Sequence, residues 1–195
     1  MKYNLENKMF DELNNRSLIG KLYSNYFLYP KITKYLSGHL LDYGAGIGAY
    51  SLFYKKKGGL VTSAEVNLKC IDFMKTIDLK TITIVNNSLD LIDSTFDSVL
   101  LDNVLEHVID PIKVIKEISR VTKINKNIVI GVPGVKGFNL DWDHKSFFDE
   151  IEIKKICEKL NLKISTIFYM PLFKSTFLSL NLRQYCIYVV IQNSK

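Results

Sequence analysis

The residues best suited to chemistry lie in a short glycine-rich segment, LLDYGAGIGA, at residues 40–49. It joins an apolar stretch typical of a buried strand to a helix predicted from residue 47 to residue 57. Gly44, Gly46 and Gly48 would let the backbone turn tightly and let a ligand approach without a Cβ in the way. The free N–H groups at the start of the following helix favour an anionic group. The segment therefore predicts a cofactor-binding loop.

Two carboxylates accompany this loop. Asp42 stands just before it, at the end of the first predicted strand, where it can meet a cationic amino group. Glu65 ends the second strand, which is the place from which a carboxylate accepts hydrogen bonds from a ribose diol. The glycine spacing also satisfies the dinucleotide fingerprint G-x-G-x-x-G/A, so a nicotinamide-dependent oxidoreductase is an alternative function. The loop alone does not decide between a nicotinamide dinucleotide and another cofactor that carries a ribose diol.

Apolar strands alternate with amphipathic helices along the chain, a pattern that predicts a mostly parallel sheet covered on both faces. The last two strands, LKISTIFYM and QYCIYVVIQ, have no full-length helix between them, so this pair is predicted to be antiparallel. We expect one α/β domain over residues 1–195, with an N-terminal helical cap (1–38) and a doubly wound, seven-stranded Rossmann-like core (39–195). The cap residues predicted to contact the core by helical spacing are Met9, Leu13, Leu18, Leu22, Tyr26 and Leu28.

Composition narrows the function classes. The 195 residues are 47% hydrophobic and 24% charged, with no run of 18 apolar residues and no signal-peptide pattern, so we expect a cytoplasmic protein. The net charge is +6, but the lysines are scattered, which argues against a nucleic-acid partner. Cys70, Cys157 and Cys186 are widely spaced and predict buried thiols without a disulfide. No tight cluster of histidines and carboxylates is visible, so no metal site is expected.

The downstream segment FDSVLLDNVLEHVIDPIKVIKEISRV, residues 96–121, distinguishes between the two functions. It closely resembles the fourth strand and following helix of class I S-adenosylmethionine-dependent methyltransferases. The nearest group is that of ubiquinone-biosynthesis and related small-molecule O-methyltransferases. With the glycine loop in register, the resemblance covers roughly residues 38–165. It implies a methyltransferase fold, S-adenosylmethionine as cofactor, and O-methylation of a small molecule or glycan precursor. A non-catalytic, cofactor-binding partner subunit is a further alternative.

The resemblance also implies roles for individual residues. Asp42, Gly44, Gly46 and Gly48 match the loop that wraps the methionine end of the cofactor, and Glu65 matches the acidic residue that binds the ribose hydroxyls.

Four more residues correspond to cofactor contacts further along the chain. Asn87 and Ser88 occupy the place after the third strand where the family usually has Gly-Asp next to adenine. The carboxylate is here replaced by an amide, which can still accept a hydrogen bond from an amino group. Asp102 and Asn103 end the fourth strand beside the transferable methyl group.

Histidine is the residue best suited to take a proton from a hydroxyl nucleophile near neutral pH. His39 precedes the first strand, at the end opposite the ligand edge, and is predicted to be structural. His107 lies in the LEH segment at the edge of the predicted pocket. His144 lies in NLDWDHKSFF, where related enzymes cover the acceptor, with Asp141 and Asp143 placed to orient its ring. We predict His144 and His107 as the catalytic candidates.

The segment FYMPLFKSTFLSLNLRQY, residues 168–185, is apolar and aromatic with few charges. Such a composition is typical of core and of pocket lining. A peripheral contact with a membrane surface, or a site for a hydrophobic acceptor, is the alternative interpretation.

Overall fold

The computed structural model describes residues 10, 11, 15 and 17–194. Helices and strands alternate from residue 39 onward, as the apolar pattern predicts. The elements are α1 (Leu18–Tyr23), a π-helical turn (Ser24–Leu28), α2 (Tyr29–Thr33), β1 (His39–Tyr43), α3 (Ala49–Lys56), β2 (Leu60–Glu65), α4 (Leu68–Thr76), β3 (Thr81–Thr83), β4 (Phe96–Asp102), a 3₁₀ turn (Leu105–His107), α5 (Pro111–Val121), β5 (Thr122–Pro133), α6 (Val135–Asn139), α7 (Glu150–Lys159), β6 (Lys163–Met170), α8 (Thr176–Asn181) and β7 (Cys186–Gln192).

The strands form one seven-stranded sheet in the order β3-β2-β1-β4-β5-β7-β6. β7 runs antiparallel to both of its neighbours, whereas the other pairs are parallel. This confirms the predicted doubly wound sheet with an antiparallel last strand. The connection between β6 and β7 contains only the six-residue α8, which is shorter than the helix that usually forms the crossover of a parallel pair. The chain order reverses between β1 and β4, which places a ligand crevice at the carboxyl ends of these strands.

Both faces of the sheet are buried by apolar side chains. Along β4, Val99 and Leu101 belong to one apolar cluster and Leu100 to the other, and all three are fully buried. This alternation follows from the two-residue period of a strand. The central strands read as nearly continuous apolar runs because helices cover both faces.

The N-terminal helices differ from the prediction. Leu28 packs into the core beside Tyr29, but Leu18 and Tyr26 are each 72% exposed and Leu22 is also exposed. The π-helical turn adds a residue per turn, so a spacing of 3.6 residues no longer keeps one face toward the core. The predicted contacts of Met9 and Leu13 lie outside the described residues.

Two other element boundaries are set by local capping and turn chemistry. The third strand ends at Thr83, because Asn86 and Asn87 adopt positive φ in a turn that bridges Val85 to Ser88. α7 begins at Glu150, because the Asp149 side chain accepts the N–H groups of Ile151 and Glu152 in the first turn. Among the described residues, no helix is long and apolar enough to cross a membrane.

Candidate functional site

The glycine loop leaves β1 at the edge where the parallel strands end. Its first two N–H groups, of Gly44 and Ala45, donate to the Ala64 carbonyl of the neighbouring strand β2 at 2.8 and 3.0 Å. Gly44 has φ +75°, and a Cβ there would lie 2.5 Å from Val104 Cγ2. At Gly48, which has φ +74°, an added Cβ would likewise lie too close to the Leu79 side chain. Glycine is therefore required at both positions by the turn and by the close packing around it.

Glu65 ties this loop to the end of β2. Its Oε2 accepts the Gly46 N–H at 2.7 Å, and its Oε1 accepts the N–H groups of Val66 and Asn67 at 2.7 and 3.0 Å. Burial raises the pKa of Glu65, and these three hydrogen bonds oppose the rise. An ionised carboxylate offers about four lone-pair positions, so about one remains for a ligand hydroxyl. The carboxylate predicted to bind ribose is thus also a structural clamp of the loop.

Asp42 lies beneath the loop rather than on its surface. It is 4% exposed, and its Oδ2 accepts the Ser51 hydroxyl at 2.6 Å. The Ser63 hydroxyl donates in turn to Ser51 at 2.7 Å. Burial raises the pKa of Asp42 to about 7, and the charges of Asp102 and Glu65 add to the effect. A negative charge on Asp42 is therefore costly until a cation approaches the loop.

The turn that carries Asn87 and Ser88 is fastened by a residue absent from the sequence prediction. Glu117 Oε1 accepts the Ser88 hydroxyl at 3.3 Å and the Leu89 N–H at 2.7 Å. Arg120 holds Glu117 through two donors, at 2.8 and 2.9 Å. The i,i+3 spacing of Glu117 and Arg120 on one helix face is the sequence feature from which this ion pair could have been predicted. Ser88 therefore has an internal partner, and Asn87 remains half-buried in the turn with φ +60°.

Asp102 and Asn103 end β4 within a small polar network. Asp102 Oδ1 accepts the Tyr188 hydroxyl at 2.7 Å and the Asn103 side-chain amide at 2.9 Å. The Tyr23 hydroxyl of α1 is buried and has no hydrogen-bond partner among the described residues. Burial raises the pKa of Tyr23 to about 12, with contributions from Cys186 and Asp102. Tyr23 of α1 thus lies near the end of β4, and its hydroxyl is available to hydrogen-bond a ligand there.

His107 and His144 meet at the same edge, with ring centroids 4.6 Å apart. His107 Nδ1 lies 3.2 Å from Asp143 Oδ2, and His144 Nδ1 lies 2.7 Å from the Phe138 carbonyl oxygen. The structure thereby corrects one predicted pairing, because Asp143 orients His107 rather than His144. Asp141 comes only within 3.9 Å of His144 Nε2.

Glu106, which the sequence analysis did not include among the site residues, lies beside the two histidines. Glu106 is fully buried, and neither of its carboxylate oxygens has a hydrogen-bond partner among the described residues. Burial raises the pKa of Glu106 to about 8, and the charges of Asp102 and Asp141 add to the rise. Burial also lowers the pKa of His107. Ligand atoms of Glu106, His107 and His144 lie within 4.8 Å of one another, so the tight cluster not visible in the sequence does exist.

Two further regions complete the comparison with the sequence. His39 Nε2 contacts the Thr62 hydroxyl at 2.9 Å and its ring packs on Phe96, at the start of β1, which supports its structural role. In the apolar C-terminal segment, the two ends are buried, but the middle is not. The exposed apolar residues there are Leu172, Phe173, Phe177 and Leu180.

Comparison with known proteins supports the interpretation of this edge of the sheet. Residues 41–130, which include the glycine loop, Glu65 and the first two residues of the Glu106 cluster, match the model of a family described as a methyltransferase domain. No curated protein matches the chain.

Solved structures share the fold at low sequence identity. A methyltransferase from Aquifex aeolicus is similar at 18% identity, TM-score 0.70, over 95% of this chain and 97% of that one. One from Methanosarcina mazei is similar at 22% identity, TM-score 0.69, over 86% and 99%. One from Archaeoglobus fulgidus is similar at 19% identity, TM-score 0.68, over 88% and 93%. All three are described as S-adenosylmethionine-dependent. Residues 41–130 thus match a methyltransferase-domain family, within a chain that has the fold of S-adenosylmethionine-dependent methyltransferases.

Proposed function

We propose that this protein transfers the methyl group of S-adenosylmethionine to an oxygen atom of a small molecule or glycan precursor. The observation that carries the proposal is the clamp between Glu65 and the Gly46 N–H. It holds a glycine loop open at the sheet position where α/β proteins bind nucleotide ligands. The match of residues 41–130 to a methyltransferase family favours the methyl donor over the nicotinamide dinucleotide that the glycine spacing also allowed.

The cofactor would lie along the carboxyl ends of β1, β2 and β4. The loop of Gly44, Gly46 and Gly48 would wrap its methionine end, and Glu65 would accept a ribose hydroxyl with its remaining lone pair. Asn87 and Ser88 would border adenine. Asp42 would act from beneath the loop as the counter-charge to the amino group of the methionine moiety. Asp102 and Asn103 would border the sulfonium.

When bound, the sulfonium supplies an already activated methyl group. The chain must therefore chiefly hold the acceptor in line with the sulfur–methyl bond and exclude water. Tyr23 and Tyr188 border the end of β4 where this would happen, and Tyr188 is fully buried whereas Tyr23 is half-buried. The Tyr23 hydroxyl, which has no hydrogen-bond partner within the described part of the chain, would hydrogen-bond the acceptor.

An oxygen acceptor must lose its proton as the methyl group arrives. His144 and His107, which we predicted as bases, both lie in the cluster with Glu106. Glu106 in turn is close enough to Asp102 for their charges to interact. The cluster therefore borders the same end of β4 as the expected methyl group, where a base would accept the proton of an oxygen acceptor.

The proposal is tested by ligand binding and by turnover. S-adenosylhomocysteine should raise the melting temperature and bind with one-to-one stoichiometry in calorimetry, because a ligand specific to the folded state stabilises it by mass action. NAD⁺ serves as the matched control and should do neither. Stabilisation by NAD⁺ alone would replace the proposal with the oxidoreductase alternative. Binding of S-adenosylhomocysteine without methylation of any member of a hydroxylated acceptor panel would favour the non-catalytic partner subunit.

A further inference from the structure

The carboxylate of Glu106 is buried and makes no hydrogen bond among the described residues. It is fully inaccessible to solvent. The nearby ammonium of Lys145 does not pair with it, because its Nζ donates to the His107 carbonyl and lies 3.9 Å from Asp143. Burying a charge without a partner is unfavourable, so the site needs either a proton or a cation.

The hydrogen bonding of His144 directs a lone pair toward this carboxylate. The Phe138 carbonyl oxygen can only accept, so the Nδ1 atom 2.7 Å away must carry the proton. In the neutral imidazole, Nε2 is then an acceptor, and it lies 3.8 Å from Glu106 Oε1. Two acceptors therefore face each other across a gap that is nearly closed to solvent, since the His144 side chain is 7% exposed and that of Glu106 is 0% exposed.

The tautomer of His107 is set in the same way, by a hydrogen bond at Nδ1. Its Nδ1 is 3.2 Å from Asp143 Oδ2, so a proton on Nδ1 would be donated to that carboxylate and Nε2 would be left as the free nitrogen. Metal-binding histidines usually donate their other ring N–H to a carboxylate or a backbone carbonyl, which fixes the tautomer and the ring. Asp143 and the Phe138 carbonyl supply one partner of each kind.

The spacing distinguishes a metal ion from a shared proton. A hydrogen bond would require the nitrogen and oxygen to approach to about 2.7–3.0 Å, roughly 1 Å closer than they are. Ligands of a tetrahedral zinc ion, bound at about 2.0–2.1 Å, lie about 3.3 Å apart. The observed distance of 3.8 Å between His144 Nε2 and Glu106 Oε1 would therefore have to shorten only about half as much to bind an ion as to form a hydrogen bond.

We propose that Glu106, His107 and His144 form a binding site for a divalent transition-metal ion, with Zn²⁺ as the best-matched ion. Two imidazole nitrogens and one carboxylate are a ligand set that suits zinc, whereas Mg²⁺ and Ca²⁺ prefer oxygen ligands throughout. With three protein ligands, zinc keeps its fourth position open to water or to another oxygen ligand. A histidine whose Nε2 binds an ion is not free to act as a base, so this site replaces the base role that we predicted for His144 and His107. Metal binding itself does not depend on the proposed methyl transfer.

The experiment measures metal content and affinity directly. The full chain is freed of metal with a chelator and titrated with ZnCl₂ by calorimetry, with MgCl₂ as the comparison. We expect one zinc ion per chain, a zinc-dependent rise in melting temperature, and no competition by millimolar Mg²⁺. Co²⁺ should bind to the same site and produce visible absorption bands that Zn²⁺ abolishes.

Variants assign the ligands. Glu106→Gln, which keeps the side-chain shape, His107→Ala and His144→Ala should each weaken zinc binding by at least about 100-fold, and Asp143→Ala by about 10- to 100-fold. His39→Ala removes the histidine at the opposite end of the sheet, and Cys186→Ser removes the nearest thiol, and both should retain wild-type affinity. S-adenosylhomocysteine binding by each variant verifies that the fold and the cofactor site persist. The proposal is overturned if the wild type binds no stoichiometric zinc, or if Glu106→Gln and both cluster-histidine variants bind it like the wild type.

Discussion

The backbone N–H of Gly46 donates to Glu65 Oε2 at 2.7 Å and joins the glycine loop to the end of the neighbouring strand. One carboxylate thus shapes the loop and also faces the ligand that the loop is expected to bind. Because Glu65 already accepts three hydrogen bonds, its removal should loosen the loop as well as the ligand.

The first prediction concerns this clamp. Glu65→Ala should weaken S-adenosylhomocysteine binding by roughly 1.5–3 kcal/mol, because a charge-assisted hydrogen bond is lost. This corresponds to roughly 10- to 150-fold in the dissociation constant, measured by calorimetry. Glu158→Ala, an exposed glutamate on α7, is the control and should bind normally. An unchanged affinity in folded Glu65→Ala protein would remove Glu65 from the cofactor site.

The second prediction concerns Gly46, which has φ +56°. Gly46→Val should abolish cofactor binding while the circular dichroism stays near native, because a side chain there strains the loop and enters the space of the ligand. Gly58→Val is a matched control away from the loop, since Gly58 has φ +85° and a Cβ there would have no neighbouring atom within 4 Å. It carries similar backbone strain and should still bind. Retained binding by Gly46→Val would show that the loop does not hold the cofactor.

The third prediction concerns turnover and the histidine cluster. His144→Ala should reduce the methylation rate by roughly 10²–10⁴ while affinity for S-adenosylhomocysteine stays close to wild type. We expect this loss whether His144 acts as the base or binds the proposed metal ion, and the zinc titration separates these roles. His39→Ala is the control, because His39 packs on Thr62 and Phe96 at the far end of β1. Near-normal turnover in both His144→Ala and His107→Ala would exclude the cluster from catalysis.

The fourth prediction concerns pH and Asp42. The pKa of this carboxyl is about 7 in the folded chain, compared with 3.8 as its ordinary value. Below pH 3.8 both states hold the proton and Asp42 has no effect on stability. As the pH rises toward 7, the unfolded chain releases the proton more readily than the folded chain does, so the free energy of unfolding falls.

Between pH 5 and pH 8 this loss amounts to about 3 kcal/mol from Asp42 alone. Denaturant unfolding of the ligand-free, metal-free protein at both pH values should show a fall that is smaller by about this amount in Asp42→Asn. Asp72→Asn, an exposed aspartate on α4, should behave like the wild type. Equal falls in wild type and Asp42→Asn would show that Asp42 is ionised throughout this range.

Much of the architecture follows from local sequence patterns. The period of the apolar residues identified the alternating strands and helices, and the short FKSTFLSLN connection predicted the antiparallel pair of β6 and β7. The turn of the glycine loop and the position of Glu65 at a strand end could also be predicted from the sequence, because such a turn depends on residues adjacent in the chain. These features need only a few neighbouring residues, so local patterns are enough to specify them.

Side-chain partners depended on the tertiary structure. Asp143 is next to His144 in the chain, yet it orients His107, which is 36 residues away. Nothing local distinguishes the buried Glu106 from an exposed glutamate, because burial is set by the 3₁₀ turn and by the segment that packs over it. The exposed Tyr26 likewise lies in a π-helical turn that no periodic pattern reveals. Only packing between elements distant in the chain decided these contacts, since they form between groups whose separation the sequence does not specify.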